Sequence, residues 1–374
     1  GGIDMWLGVD DTDSLEGGCT TLVFHDLLNA LPCEHGEPRL TRLWPFAARR
    51  TRGNAALSVE IFADESIIEW LDQYWKDNIE PLKGMISVSE HSEREQYPSD
   101  PGMTLFTKQP DEKYYWKAVR GKAEVLEFGH QWGGEGRIGA AASCAWPALT
   151  ATWEGIAWRK GIREVSEESL TIVDNMPETF LCRDPRTNRG LVAPRGPCPV
   201  MFGVRATDRY SAQKAVEILL EGSTETIGSR VFCTNQASGD HIESSIKDVV
   251  ETKELLKGGH VIINQRYLAF AESGDVNKSA QWLEVGDQFE CLGLNYEGQI
   301  HLEAIKILKS TKKERPLCEC GTRMKSMGKG QGVRCPKCKK TISEVWLETN
   351  RLPIFEGWVQ PPADKRRHLA KTLT

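Results

Sequence analysis

Three carboxylates lie within four residues near the start of the chain, at Asp10, Asp11 and Asp13. Carboxylates this close together repel one another unless a cation neutralises them. Magnesium prefers oxygen ligands and shares its coordination shell with phosphates, so it is the cation that suits this string best. We therefore predict a magnesium site at these three aspartates.

The residues that follow the aspartates suit a phosphate group. Two glycines precede a helical pattern that starts at Thr20, and backbone N–H groups at a helix start favour an anion. The lysine of a Walker phosphate-binding loop is missing from this string. We predict that magnesium and this turn hold a nucleoside triphosphate together. The nucleotide-binding residues predicted in the turn are Thr12, Ser14, Gly17, Gly18, Cys19 and Thr21.

A structural role is the alternative for the same string. Aspartate and serine often form turns or cap a helix, and Thr20 could be only a helix cap. Capping requires one acceptor, however, and it leaves the other adjacent charges unexplained.

A basic turn at residues 50–54 precedes a strand pattern. Its arginines either stabilise phosphate charge during group transfer or lie in an exposed loop, and the spacing does not separate these two interpretations. The residues of this turn that we predict to bind nucleotide are Arg52, Gly53 and Asn54.

Two cysteine pairs lie close to the end of the chain, Cys318 with Cys320 and Cys335 with Cys338. Pairs at this separation are typical of a zinc ribbon with four thiolate ligands. The first pair has one intervening residue where ribbons usually have two. Four thiolates leave no open coordination position, so the predicted zinc is structural.

The composition is that of a multidomain protein without a membrane partner. A chain of 374 residues exceeds what one compact core usually holds. No apolar run approaches the roughly 18 residues of a membrane span, and the start of the chain does not resemble a secretory signal, so we expect a cytoplasmic protein. The formal charge of −6 argues against indiscriminate coating of nucleic acid, so any nucleic-acid site should be local.

The apolar pattern changes several times along the chain and predicts a multidomain α/β and α+β fold. Strand patterns at residues 5–9 and 57–62 alternate with helical patterns at 20–31 and 65–76. Later, a strand–helix–strand pattern is followed by an all-β stretch that fits an OB-type barrel. The predicted domains are residues 1–150, 151–248, 249–310, 311–345 and a basic tail at 346–374.

At these residues the chain resembles the archaeal tRNA 2-agmatinylcytidine synthetases nearly from end to end. Any one matching segment is weak, but their common order is specific. The segments include Asp10-Asp11-Thr12-Asp13-Ser14 with Cys19-Thr20-Thr21, Arg42-Leu43, Thr51-Arg52-Gly53-Asn54, Pro101-Gly102, Pro197-Cys198-Pro199-Val200, Gly203-Val204-Arg205, Thr234-Asn235-Gln236-Ala237 with Asp240-His241, and Arg366-Arg367-His368-Leu369.

The resemblance implies a kinase-like N-terminal domain, a ferredoxin-like domain, an OB-fold and a zinc ribbon. It also implies an ATP-dependent ligase that phosphorylates the C2 oxygen of the wobble cytidine in an isoleucine tRNA with a CAU anticodon. The primary amine of agmatine then displaces the phosphate. Phosphorylation makes chemical sense because a carbonyl oxygen is a poor leaving group.

Residue roles follow from the same resemblance. Asp10, Asp11 and Asp13 would bind magnesium and assist phosphoryl transfer, and Thr20 corresponds to a threonine that is autophosphorylated in the family. The implied agmatine pocket comprises Pro197, Cys198, Pro199, Met201, Phe202 and Gly203. The residues that we expect to contact tRNA are Arg366, Arg367, His368 and Lys371.

Two other classes of function remain open from the residues alone. An RNA-binding accessory protein would bind RNA without ATP turnover. A metal-dependent nuclease or phosphotransferase would also use clustered aspartates, but its turnover would be indifferent to agmatine.

Overall fold

A computed structural model describes residues 2–13, 19–45, 55–84, 98–343 and 346–373. The chain divides into two compact units. The first contains Gly1–Glu243 together with Arg366–Thr372, and the second contains Ser244–Lys365 with Leu373–Thr374. Within the described ranges, no helix is long and apolar enough to cross a membrane.

A single ten-stranded mixed sheet forms the centre of the first unit, in the order β6-β5-β1-β4-β3-β10-β7-β9-β8, with β2 beside β4. The only parallel pair within this described sheet joins β10 to β3, with Cys233 opposite Arg39. The predicted boundary near residue 150 therefore falls inside one continuous sheet. Its strands are β1 (Ile3–Asp10), β2 (Glu34–His35), β3 (Arg39–Arg42), β4 (Ala55–Ala63), β5 (Gly102–Phe106), β6 (His130–Gly133), β7 (Thr152–Arg159), β8 (Thr179–Phe180), β9 (Val200–Ala206) and β10 (Thr226–Thr234).

Helices cover both faces of this sheet. Their bounds are α1 (Thr20–Ala30), α2 (Ser66–Tyr74), α3 (Glu112–Val119), α4 (Gly136–Ala145), α5 (Glu167–Asp174) and α6 (Arg209–Glu221), and a π-helical turn, Trp75–Ile79, extends α2. Leucine and phenylalanine side chains of α1 pack on β1 and β4, while the small residues of α4 pack on the opposite face. The first unit therefore has three layers, and burial of apolar side chains on both faces stabilises it.

Helix α4 approaches β1 closely because both elements lack side chains where they meet. A Cβ on Gly8 would lie 2.3 Å from the carbonyl oxygen of Ala140, and a Cβ on Gly139 would lie 1.8 Å from Oδ2 of Asp10. Glycine is the one residue that allows such an approach. This contact fixes the end of β1, where the predicted aspartate loop begins.

The second unit is built mainly from β-strands, with a seven-stranded sheet in the order β11-β15-β16-β14-β13-β12 and β22 beside β16. Strands β17 and β21 form a pair, and β18, β19 and β20 form a small sheet. The bounds are β11 (Ile246–Val249), β12 (Lys253–Leu255), β13 (Val261–Ile263), β14 (Tyr267–Ala269), β15 (Gln288–Tyr296), β16 (Gln299–Lys309), β17 (Thr311–Glu314), β18 (Lys325–Ser326), β19 (Val333–Arg334), β20 (Thr341–Ile342), β21 (Leu347–Asn350) and β22 (Trp358–Val359).

The prediction that residues 249–310 are entirely β was wrong, because helix α7 (Asp275–Trp282) interrupts the strands. Only Val276 and Ala280 give this short helix a buried apolar face, which is too weak a pattern to detect from sequence. The coarser prediction, a mixed α and β protein with several sheets, is confirmed by both units.

Candidate active site

Six strands of the first unit each bring one end to the same edge of the sheet. Pairing aligns Val9 with Leu57, Arg42 with Ala55 and Leu40 with Thr234. On the next strands, Thr234 pairs with Thr152, and Glu154 pairs with Arg205. The aspartate loop after β1 therefore shares an edge with the ends of β3, β9 and β10 and with the start of β7.

Asp10 and Asp11 occupy constrained positions at this edge. Asp11 adopts a left-handed backbone conformation (φ 57°), which aspartate tolerates better than most residues, and its Oδ2 accepts a hydrogen bond from the backbone N–H of Asp100 at 3.1 Å. Desolvation by the surrounding protein and the charge of Asp11 raise the pKa of Asp10 well above its usual range. A cation bound here would counter both effects.

Asp13 binds the first residue of α1, Thr20, through both the backbone and the side chain of that threonine. Oδ1 of Asp13 accepts hydrogen bonds from the N–H of Thr20 at 2.5 Å and from its hydroxyl at 2.7 Å. The hydroxyl of Thr12 donates to Oγ1 of Thr20 at 3.1 Å, and Thr20 is buried. A hydroxyl directed at a carboxylate has the geometry of a nucleophile beside its base.

Capping alone does not account for the aspartate loop. Cys19 is the N-cap of α1 and makes no side-chain capping bond, and Asp13 supplies the acceptor from within the loop. Oδ2 of Asp11 instead accepts a hydrogen bond from the N–H of Asp100. Thr20 is the first residue of α1 and not its cap, and its hydroxyl is the group that contacts Asp13.

Cys19 is held in its protonated form at the start of α1. Its Sγ lies 2.8 Å from Oγ1 of Thr21, and the indole Nε1 of Trp158 donates to the same oxygen at 3.2 Å. Burial and the charge of Asp13 raise the pKa of Cys19 to about 12. A thiol in this state is a poor nucleophile at neutral pH, so Cys19 supports the loop through packing.

A buried histidine supports α1 one turn further along. The Nε–H of Arg230 donates to Nδ1 of His25 at 2.9 Å, and the His25 ring lies 4.5 Å from that of Trp158. Burial and the charge of Arg230 lower the pKa of His25 to about 4. The folded protein therefore contains a neutral imidazole here at pH values where an unfolded chain would bind a proton.

This histidine predicts how stability depends on pH. Between about pH 6.5 and pH 4 the unfolded state binds a proton at His25 and the folded state does not, so the free energy of unfolding should fall by up to about 3 kcal/mol as the pH decreases. Urea unfolding at several pH values would measure this. His25→Gln should remove this pH dependence of the free energy of unfolding, whereas His35→Gln should retain it. Equal slopes in His25→Gln and the wild type would contradict the assignment.

A buried polar group that sequence reasoning missed lies at the same edge. Nη2 of Arg42 lies 3.7 Å from Oε2 of Glu154, and that oxygen also accepts a hydrogen bond from Nε2 of Gln236. Glu154 and Gln236 are both buried. The detectable signal was Glu154 itself, a carboxylate in a strand whose one other charged residue, Arg159, lies at its end.

Residues predicted for agmatine lie along β9 and the turn before it. Met201 and Phe202 are buried in the core that α6 covers. A Cβ on Gly203 would lie 2.7 Å from Oε1 of Glu154, so Gly203 faces the buried carboxylate. Val200 pairs with Trp158 while Arg205 pairs with Glu154, which places Pro197, Cys198 and Pro199 at the opposite end of β9 from Arg205.

Two arginines hold the turn before β9 in place. Arg159 donates to the carbonyl oxygens of Pro197 and Cys198 at 3.0 and 2.9 Å, and Arg163 donates to that of Cys198 at 2.7 Å.

Six of the predicted nucleotide-binding residues lie outside the described ranges: Ser14, Gly17, Gly18, Arg52, Gly53 and Asn54.

The basic segment near the end of the chain packs on the first unit. The N–H groups of Ala237 and Gly239 donate to the carbonyl oxygens of His368 and Leu369 at 2.9 and 2.7 Å, and Leu369 is buried. Among the four residues predicted to contact tRNA, Arg366 and Arg367 are half-buried, and His368 and Lys371 are exposed.

The four clustered cysteines meet in space. The sulfur atoms of Cys318, Cys320, Cys335 and Cys338 all lie within 4.8 Å of one another, with 3.6 Å between those of Cys320 and Cys335. A zinc ion at about 2.3 Å from four sulfurs requires sulfur separations of about 3.8 Å. The cluster therefore fits a four-thiolate zinc site, and the short first pair does not prevent it.

Family models match most of the chain. A model described as the TiaS TCKD domain matches residues 6–136, and one described as the TiaS FLD domain matches residues 134–241. A third, the TiaS C-terminal zinc ribbon domain, matches residues 315–351 and contains the four cysteines. These matches define a multidomain protein that contains a zinc ribbon at residues 315–351.

Full-length relatives agree with the family models. The chain is 30% identical to the isoleucine-tRNA 2-agmatinylcytidine synthetase TiaS of Methanocaldococcus jannaschii, over 99% of this chain and 98% of that protein. It is 29% identical to the protein of the same name from Archaeoglobus fulgidus, over 99% and 97%. A solved structure of apo TiaS has a TM-score of 0.76 and 27% identity, covering 99% of this chain and 97% of that one. The chain therefore belongs to the TiaS family of tRNA 2-agmatinylcytidine synthetases.

Proposed function

We propose that this protein uses ATP to attach agmatine to C2 of the wobble cytidine in the CAU anticodon of an isoleucine tRNA. The main support is the similarity of the chain, over nearly its whole length, to synthetases of this name. The aspartate–threonine pair at the start of α1 supports the same function. A TiaS complex with an isoleucine tRNA and ATP, 26% identical to this chain with a TM-score of 0.76, covers 99% of this chain and 96% of that one.

The reaction that we propose has two steps. The C2 oxygen of cytidine attacks the terminal phosphorus of ATP, so an O–P bond forms and ADP leaves. The primary amine of agmatine then attacks C2, loses a proton, and inorganic phosphate leaves with the former C2 oxygen. A phosphate is a far better leaving group than the oxygen it replaces, which explains why ATP is required.

Asp10, Asp11 and Asp13 are the residues that we propose to hold magnesium, and Thr20 is the hydroxyl that we propose for autophosphorylation. Magnesium would neutralise phosphate charge and orient the triphosphate. The Asp13 carboxylate, which already accepts the hydroxyl proton of Thr20 in a hydrogen bond, keeps that hydroxyl aligned. Thr12, Cys19 and Thr21 surround the same helix start and would line the nucleotide site.

The finer domain assignments are also part of the proposal. Residues 1–150 would be the kinase-like catalytic domain, 151–248 the ferredoxin-like domain and 249–310 the OB-fold, with the zinc ribbon at 311–345 and the basic tail at 346–374. The family-model matches at residues 6–136, 134–241 and 315–351 support this order. Zinc in the four-cysteine site would act structurally, and a tRNA substrate favours a cytoplasmic location.

Strand β9 and the basic segment at residues 366–372 are the regions that we propose for substrate recognition. We propose that Gly203, which faces Glu154, contributes to the agmatine pocket, with Pro197, Cys198, Pro199, Met201 and Phe202 shaping the strand behind it. Arg366, Arg367, His368 and Lys371 would contact tRNA beside the active site, because residues 366–372 pack on the catalytic unit.

Mass spectrometry of nucleosides tests this function directly. An isoleucine tRNA transcript incubated with the protein, ATP, magnesium and agmatine should yield a cytidine that carries a guanidino group. Omitting ATP or agmatine, or replacing the wobble cytidine with uridine, should abolish the product. RNA binding without a product would instead favour an accessory protein, and RNA cleavage would favour a nuclease.

A further inference from the structure

Two arginines and a histidine converge beside the aspartate loop. Nη2 of Arg205 lies 3.5 Å from Nδ1 of His368. The charges of Arg42 and Arg205 lower the pKa of His368 well below its usual range. Arg42 in turn lies near Asp13, whose charge acts on its guanidinium. We call Arg42, Arg205 and His368 the arginine pocket.

The two guanidinium groups of the arginine pocket act on each other. Burial and the charge of Arg205 lower the pKa of Arg42, and the charges of Glu154 and Asp13 oppose that shift. Oε2 of Glu154 also accepts a hydrogen bond from Nε2 of Gln236. His368 is neutral because its pKa lies well below the usual range. Like charges held together, as on Arg42 and Arg205, favour an added anion.

The arginine pocket also contains one hydrogen-bond donor that lacks an acceptor among the described residues. Within the described part of the chain, the buried Nε of Arg205 has no hydrogen-bond partner. A buried donor without an acceptor is costly, and a guanidinium group is well shaped for the oxygens of a phosphoryl group. The pocket thus offers charge and geometry for a dianionic phosphate.

The positions of the two arginines are fixed by the sheet and by the end of the chain. The side chain of Asn235 bonds both the N–H and the carbonyl oxygen of Arg42, at 2.8 and 2.9 Å. His368 arrives on residues 366–372, which are attached to the loop after β10 through main-chain hydrogen bonds. Because the histidine is neutral, its Nδ1 can accept from Arg205 and orient that side chain.

We propose that the arginine pocket receives the phosphoryl group that ATP transfers to cytidine and retains it until it leaves as inorganic phosphate. This inference rests on the proposed function. Arg42 and Arg205 would contact the phosphoryl oxygens, and His368 would be a positioning residue. Placing two guanidinium groups against the departing phosphate stabilises its developing charge, which accelerates attack by the agmatine amine.

Arg205→Gln tests the proposal. The kcat for agmatine transfer should fall about 100-fold, while the KM for ATP and the Kd for tRNA stay within about twofold of wild type. Inorganic phosphate, used as a product inhibitor, should inhibit the variant at least about tenfold more weakly. Arg205→Lys should keep the charge but lose the paired hydrogen bonds, and should show both effects to a smaller degree.

Arg209→Gln is the matched control. This exposed arginine lies four residues away in the chain and contacts Glu37 at 2.7 Å. It should show wild-type transfer and wild-type phosphate inhibition.

The outcomes separate the possible sources of phosphate. A weaker Kd for tRNA in Arg205→Gln, with a shallower dependence on salt, would mean that the site takes a backbone phosphate of the tRNA and would overturn the proposal. Wild-type inhibition by phosphate in both Arg205 variants would overturn the proposal as well. If Arg205→Gln does not fold, phosphate inhibition can still be measured with Arg205→Lys. Failure of the proposed function can be distinguished from failure of this inference, because in the first case the wild-type protein would form no agmatine product.

Discussion

Asp13→Asn is expected to lower the rate of agmatine transfer by about a thousandfold. The asparagine keeps the shape of the side chain and one oxygen for the Thr20 N–H, but it loses the negative charge that faces the Thr20 hydroxyl and, as proposed, magnesium. Because the loss concerns charge and not shape, tRNA affinity and the midpoint of thermal unfolding should change little. Single-turnover transfer at saturating tRNA and ATP measures the effect.

Asp208→Asn is a close control for this variant. Asp208 caps α6 and accepts hydrogen bonds from the N–H and the hydroxyl of Ser211, each at 2.8 Å, so its contacts resemble those of Asp13. Its replacement should change stability little, because asparagine caps a helix about as well as aspartate does, and it should leave the transfer rate unchanged. If Asp13→Asn behaved in the same way, the aspartate loop would be a helix cap and not a catalytic element.

Loss of zinc is also expected to have a large effect. Cys335→Ser removes one of the four thiolates, and structural zinc sites contribute on the order of 10 kcal/mol to the folding of their small domains. The ribbon should unfold, bound zinc should fall well below one per chain, and tRNA affinity should weaken at least about tenfold because the ribbon's lysines and arginines no longer form an ordered surface. Metal analysis and filter binding provide the two readouts.

Cys33→Ser is the corresponding control in the first unit. Cys33 is half-buried and lies outside the four-cysteine cluster, so zinc content and tRNA affinity should match wild type. ATP binding should be retained in both variants, since the aspartate loop belongs to the other compact unit. Full tRNA affinity in a zinc-free Cys335→Ser protein would show that the ribbon does not take part in tRNA binding.

Local sequence patterns predicted the elements that have strong apolar periodicity. The predicted helix at residues 20–31 is α1 (Thr20–Ala30), and the strand at 57–62 lies within β4 (Ala55–Ala63). Helix α7 was missed because its buried face has only two apolar side chains. The parallel pairing of β3 with β10 could not be predicted either, since it joins Arg39 to Cys233 across almost two hundred residues.

The residues of the candidate site likewise include some that the sequence could identify and some that it could not. Asp10, Asp11, Asp13 and Thr20 lie in one short stretch, so residue types and spacing alone identified them. Arg42, Glu154 and Arg205 come from three strands, and only the register of the sheet brings them together. The neutral state of His368 depends on its arginine neighbours in space and has no signature in the local sequence.

The position of the bound nucleotide tests the central claim most directly. In a crystal structure with a non-hydrolysable ATP analogue and magnesium, we predict that the metal is coordinated by oxygens of Asp10, Asp11 or Asp13 at about 2.1 Å, with the terminal phosphate beside Thr20. Manganese in place of magnesium would identify the metal by its anomalous signal. A triphosphate bound away from the start of α1, with no metal at these aspartates, would contradict the account.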